Sequence, residues 1–235
     1  MADRYQDMKL LVISDAHSNY LALKAAVDSE RYDKLVFLGD AVDYGPQPAE
    51  VLDFIMENAD YYVMGNHDRA VAYNEDCHCS IDMHDLSEYT RKEISQKLLS
   101  KQDIDKIKRM PEKIVVEIDG MKTFMTHASP YNSLNGYMYG SEADMVARDK
   151  NLMDYSLIMV GHTHYPMYYK NRILNPGSVG QPRDGNWMPH YAIMDTDRNE
   201  VRFRRFSYDH ETALKQIREL VTNEAMLQKL SKFYS

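Results

Sequence analysis

Short apolar runs alternate with amphipathic stretches along the first third of the chain. Residues 9–14 (Lys-Leu-Leu-Val-Ile-Ser) suit a buried strand, and residues 35–38 and 61–64 repeat the pattern. Between them, residues 19–31 carry Leu21, Ala25, Ala26 and Val27 at positions that suit a helix. Residues 46–59 read as a second helix with a proline near its first turn. This βαβαβ order predicts right-handed crossovers and a largely parallel sheet.

The pattern changes over residues 70–109. Residues 85–100 and 103–109 are charged, helical in spacing and poor in strand formers. They read equally as surface helices or as a cap beside a site, because insertions after strand ends often control access. The second half is richer in strands. Residues 113–118 and 121–126 flank Asp119-Gly120, a good hairpin turn. Residues 156–160 form another apolar run. Residues 167–174 and 191–205, with turns near Asn171-Arg172 and Asp197-Arg198-Asn199, complete the strands, and 209–232 is helical. With no repeat or low-complexity linker, the simplest organisation is one domain over 1–235 with a helical, cap-like insertion at about 74–110. The fold class is α/β.

Composition narrows the function. Of 235 residues, 44% are hydrophobic and 27% charged, the balance of an ordinary globular protein, and no apolar run approaches the roughly 20 residues of a membrane span. The polar, acidic start at residues 1–7 resembles neither a signal nor a transit peptide, so a cytoplasmic protein without membrane association is expected. A net charge of −8 argues against binding extended nucleic acid. It does not argue against a phosphate substrate, since bound divalent ions reverse the local sign. Cys77 and Cys79 are too few and too close for a disulfide framework. With His78 and His84 they read as a polar loop or, less well, as a third metal site.

The polar residues that stand out sit at strand ends, where α/β sheets bind ligands. They are Asp15-Ala16-His17, Gly39-Asp40 with Asp43, Gly65-Asn66-His67-Asp68, His127 and Gly161-His162-Thr163-His164. Five of the nine histidines lie in these motifs. If the backbone is extended there, Asp15 with His17, and His162 with His164, each aim both side chains at one point. Each motif alone has a structural explanation: a helix N-cap, a turn, a buried hydrogen-bonded histidine. Together they point to metal binding. The mixed oxygen and nitrogen donors suit Mn²⁺, Fe or Zn²⁺, with Ni²⁺ as a further option, and the lack of thiolate argues against structural zinc.

In this order the motifs resemble the calcineurin-like metallophosphoesterase superfamily, in its small prokaryotic phosphodiesterase-like branch. The resemblance implies an αββα sandwich of two mixed sheets flanked by helices. It also implies a di-metal centre with Asp15, His17 and His164 on one ion, Asn66, His127 and His162 on the other, and Asp40 bridging. Two divalent cofactor ions, Mn²⁺ first, would then activate water against a phosphate ester, more readily a diester. His67 is left free to serve as catalytic acid, with Asp68 orienting its ring. Asp43 is either a support for a histidine or a helix-entry residue. Arg183, in the turn-rich loop 175–185, is a candidate phosphate ligand or a loop salt bridge. The expected partner is a small phosphorylated or nucleotide-like substrate, with homo-oligomerisation left open. Alternatives are a Ser/Thr protein phosphatase, a dinucleoside polyphosphate hydrolase, or a non-catalytic scaffold of the same fold.

Overall fold

Alternating apolar faces along the strands bring two sheets together, with helices on their outer sides. The computed structural model describes residues 8–234. The acidic opening at residues 1–7, on which the reading of no targeting segment rests, lies outside the described residues. In chain order the first elements are β1 (Lys9–Ile13), α1 (Tyr20–Ser29), β2 (Lys34–Phe37), α2 (Pro48–Asn58), β3 (Tyr61–Tyr62) and α3 (Asn66–Tyr73). Next come α4 (Ile81–Thr90), a π-type turn at Arg91–Ser95, the short α5 (Gln96–Leu98) and α6 (Lys101–Lys108). The hairpin β4 (Lys113–Ile118) and β5 (Met121–Thr126) precedes α7 (Gly140–Arg148), β6 (Leu157–Met159), β7 (Pro166–Tyr169) and β8 (Ile173–Pro176). The chain closes with β9 (His190–Asp195), β10 (Glu200–Arg205), α8 (His210–Leu220) and α9 (Glu224–Ser231).

Among the described residues the sheets run β10-β9-β1-β2-β3 and β4-β5-β6-β8-β7. The first is mixed, not largely parallel. β1, β2 and β3 pair in parallel as the crossovers require, but β9 returns antiparallel along β1 and carries β10 with it by a hairpin. Leu10, Val12 and Val36 face the middle of the sandwich and meet Met125, Leu157, Met159 and Leu174 of the second sheet. One residue on, Leu11, Ile13, Leu35 and Phe37 face outward onto Leu23, Val51, Leu52 and Ile55 of α1 and α2. Phe124, Ile158 and Ile173 do the same against Ala143 and Val146 of α7. No described helix is long and apolar enough to cross a membrane.

Two elements differ from expectation, and a third finds its place in the packing. The Asn66-His67-Asp68 turn is instead the first turn of α3, because the Asp68 carboxylate accepts from the Gly65 amide and caps the helix. The helix α7 was not anticipated. The segment expected as a cap at 74–110 contributes Leu99, Ile107 and Met110 to the cluster that covers β1 and β2, and Leu86 and Ile94 to a second buried cluster.

Candidate metal centre

The polar motifs converge because the loops leaving the strands are bonded to one another. The Asp15 amide donates to Gly39 O (2.9 Å), the His17 amide to Asp40 O (2.9 Å), and the Gly161 amide to His127 O (2.7 Å). These loops are not extended. Asp15, His17, Asp40, His162 and His164 have φ of 55°, 45°, 60°, 67° and 63°, the left-handed region that non-glycine residues seldom occupy. Such backbone is held in place only by its surroundings, and it concentrates at functional sites. Gly39 (φ 92°) is required here, since a Cβ would come within 2.7 Å of the His127 ring.

The positive φ values also correct the expectation that His162 and His164 share one point. His164 joins Asp15 and His17, whereas His162 joins Asp40 and His127. Within each group the potential ligand atoms lie within 4.8 Å of one another. Asp40 lies between the groups, its Oδ2 being 3.2 Å from His127 Nε2 and 3.7 Å from His17 Nε2. All of these residues are buried.

The surroundings fix what each atom offers. His17 Nδ1 donates to Val42 O (3.3 Å), and His164 Nδ1 donates to Gln181 O. Both Nε2 atoms therefore present lone pairs, yet they face each other at 3.3 Å, with Asp15 Oδ1 3.2 Å from His164 Nε2 and lacking any donor. The second group gathers its atoms in a similar way. His127 Nδ1 donates to Leu38 O (2.7 Å) and turns Nε2 toward Asp40. Asn66 Nδ2 donates to Cys77 O (2.8 Å), so its Oδ1 points at His127 Nε2 (3.1 Å) and His162 Nδ1 (3.2 Å). His162 Nε2 has no partner. Buried acceptors converging on acceptors are costly unless a cation lies among them. The carboxylate, amide and imidazole set fits divalent transition ions.

Charge follows the same division. Burial lowers His17 to about 3 despite Asp40, and it lowers His162 and His164 with help from His127 and Arg183 respectively. Burial also opposes charge on His127, but Asp40 and Asp15 prevail and raise it to about 9. Proton and cation thus compete for the His127 ring. Burial would raise the Asp40 carboxyl, yet His127 and His67 hold it well below the carboxylate range.

His67 belongs to neither group. Its Nδ1 bonds Asp43 Oδ2 (2.8 Å), so Asp43, not Asp68, orients the ring. Asp68 is occupied elsewhere. It accepts from the amides of Asp40, Ala41, Val42 and Gly65, holding the Asp40 loop against α3, and burial together with Asp40 raises it to about 6. Asp43 also accepts from Ser87 Oγ (2.7 Å), Thr90 Oγ1 (2.6 Å) and the Tyr44 amide (2.8 Å). Ser87 and Thr90 lie in α4, and nothing in a charged helical stretch singles them out. Arg183 is half-buried and donates to Gln181 Oε1 (2.7 Å), a neutral partner instead of the alternative loop salt bridge. Cys77 and Cys79 lie against each other with His67, their potential ligand atoms within 4.8 Å, whereas His84 pairs with Asp76 (3.0 Å) and takes no part in the third site read from this stretch.

With this geometry in place, the Calcineurin-like phosphoesterase superfamily domain matches residues 8–199. An uncharacterised protein of Methanocaldococcus jannaschii is 31% identical over 232 residues, covering 88% of this chain and 91% of that one. The crystal structure of a metallophosphoesterase from Sphaerobacter thermophilus is 30% identical with a TM-score of 0.79, covering 97% and 100% of the two chains. A hypothetical protein of Pyrococcus horikoshii shares the fold at 21% identity, with a TM-score of 0.80 over 95% and 97%.

Proposed function

The chain belongs to the calcineurin-like phosphoesterase superfamily, and from that premise we propose that it is a two-metal phosphoric ester hydrolase acting on a small phosphodiester. The observation that carries this reading is the set of buried acceptors facing one another around Asp15, His17 and His164, with a second group of buried potential ligands adjoining it at Asp40. Asp15, His17 and His164 would hold one divalent ion and Asn66, His127 and His162 the other, with Asp40 shared. Mn²⁺ suits these donors. When bound, such ions supply Lewis acidity that activates water and neutralises phosphate charge.

The remaining steps belong to the chain itself. Asp43 fixes Nδ1 of His67, leaving Nε2 to give a proton to the leaving oxygen. Asp68 keeps the Asp40 loop in register through its four backbone amides. Arg183 is the cation offered to the substrate, poised near His164. A phosphodiester monoanion needs less neutralisation than a monoester dianion, and the motifs offer few cationic side chains, Arg69 being engaged with Glu75 and Glu112. The test compares kcat/KM for bis-aryl and mono-aryl phosphates with one leaving group, one metal and one pH. The diester should be favoured. A clear monoester advantage would assign the protein to the phosphatases.

A further inference from the structure

We propose that the cavity beside Thr163 is an aromatic subsite that stacks the nucleobase of a nucleotide phosphodiester; this rests on the phosphoesterase reading and names its substrate class. The cavity is an open cleft of about 620 Å³, lined chiefly by Met138, Tyr139, Thr163, Tyr165, Met167 and Tyr169. That volume lies in the range of small-molecule sites. Thr163, which lines the cavity, is the residue between His162 and His164 in the chain.

A row of rings leads from the centre to the cavity. Tyr137 lies 4.5 Å from the His162 ring, centroid to centroid. Tyr139 is nearly parallel to Tyr137 (8°, 6.1 Å), and Tyr165 stands edge-on to Tyr139 at 6.3 Å. Tyr139 and Tyr165 remain 46% and 42% exposed, although large rings gain most from burial. They are not loose. The Tyr165 hydroxyl donates to Arg183 O (2.7 Å), and the Tyr169 hydroxyl donates to Asp144 Oδ1 (2.7 Å). Tethered hydroxyls leave ring faces open in fixed places, and exposed apolar surface of this kind marks a binding site.

The lining also selects the ligand. It carries no charged side chain, so it has nothing for a second phosphate or an ionised peptide, and its tyrosines favour a flat, neutral π-system. Every nucleobase offers such a face, and base–aromatic stacking needs no particular hydrogen-bond pattern. Gly140 lies at the cavity wall, and a Cβ added there would meet nothing within 4 Å. A larger residue at this position therefore has room at the cavity wall without a clash at its Cβ.

Thymidine 5′-(p-nitrophenyl phosphate) and methyl p-nitrophenyl phosphate release the same phenolate, so the ratio of their kcat/KM values isolates the nucleoside. With Mn²⁺ the nucleoside ester should be favoured by about 5- to 100-fold, the scale of one stacked base. The ratio should fall toward one in Tyr139→Ala, Tyr165→Ala and Gly140→Phe. Equal kcat/KM for the two esters, equal loss on both in the variants, or an n-octyl ester outperforming the thymidine ester overturns the subsite while leaving the phosphoesterase reading intact. If neither ester is hydrolysed, the phosphoesterase reading fails and equilibrium binding decides the subsite. Tighter binding of thymidine 5′-monophosphate than of ribose 5-phosphate, lost in Gly140→Phe, supports it; equal binding overturns it.

Discussion

Asp43→Asn changes one buried oxygen to an amide nitrogen and should separate proton transfer from metal binding. The Asp43 carboxylate accepts four hydrogen bonds, from His67, Ser87, Thr90 and the Tyr44 amide. An asparagine oxygen in the Oδ1 position keeps Thr90 and Tyr44, while its NH₂ replaces Oδ2. The Ser87 hydroxyl can rotate to accept, but His67 Nδ1 must surrender its proton to face a donor. The ring then takes the opposite tautomer and loses the anion that supports its protonated form. A hydrogen bond to a charged group is worth about 1.5–3 kcal/mol, so kcat should fall by roughly 10- to 100-fold. Stability should drop by a similar energy, because the site is fully buried. The assay measures kcat on a diester with a good and a poor leaving group, alongside divalent metal content. The poor leaving group should suffer more, since it depends more on protonation, and metal content should stay unchanged. Unaltered kcat on both esters, or loss of metal with loss of rate, would refute the assignment of Asp43 and His67 to proton transfer.

Two further outcomes follow from the packing. Gly65 has an ordinary φ of −95°, but an added Cβ would overlap the Asp40 carboxylate, so Gly65→Ala should weaken metal binding and cost about 1–3 kcal/mol in urea unfolding. Burial, with Arg205 adjacent, lowers His190 to about 4, outweighing Asp184. Between about 6.5 and about 4 the unfolded chain binds a proton that the folded chain refuses, so stability falls as pH drops through that window, by up to about 3 kcal/mol from this residue. His190→Gln should remove that part of the decline, read by urea unfolding at each pH with chelator present.

Element existence was legible wherever the periodicity was strong. The hairpin at Lys113–Ile118 and Met121–Thr126 falls where Asp119-Gly120 places it, and β1 and β2 lie within a residue of their apolar runs. The sheet's mixed character was hidden in local order, because β9 pairs with β1 across nearly the whole chain. Spacing gathers the polar motifs at strand ends but leaves their division open; only the family resemblance separates His164 from His162. Positive φ at His162 and His164 sends neighbouring imidazoles to separate groups, and an extended-chain argument has no access to that. Asp68 was mistaken for the partner of His67 because it is adjacent in sequence, whereas Asp43 reaches the ring through space. Ser87, Thr90 and the tyrosines of the side cavity carry no pattern of their own. Their places come only from how α4, the segment before α7 and the stretch through β7 are packed.

The measurement that bears most directly on the central claim is metal stoichiometry after reconstitution with Mn²⁺ and removal of free ion, for the wild-type chain and Asp40→Asn. Asp40 Oδ2 stands 3.2 Å from His127 Nε2 and 3.7 Å from His17 Nε2, within reach of both groups. The wild type should retain two ions per chain and hydrolyse a phosphodiester; Asp40→Asn should retain at most one and lose most of its turnover. Full occupancy with normal turnover in Asp40→Asn, or a wild-type chain that retains no ion, would contradict a shared two-metal centre.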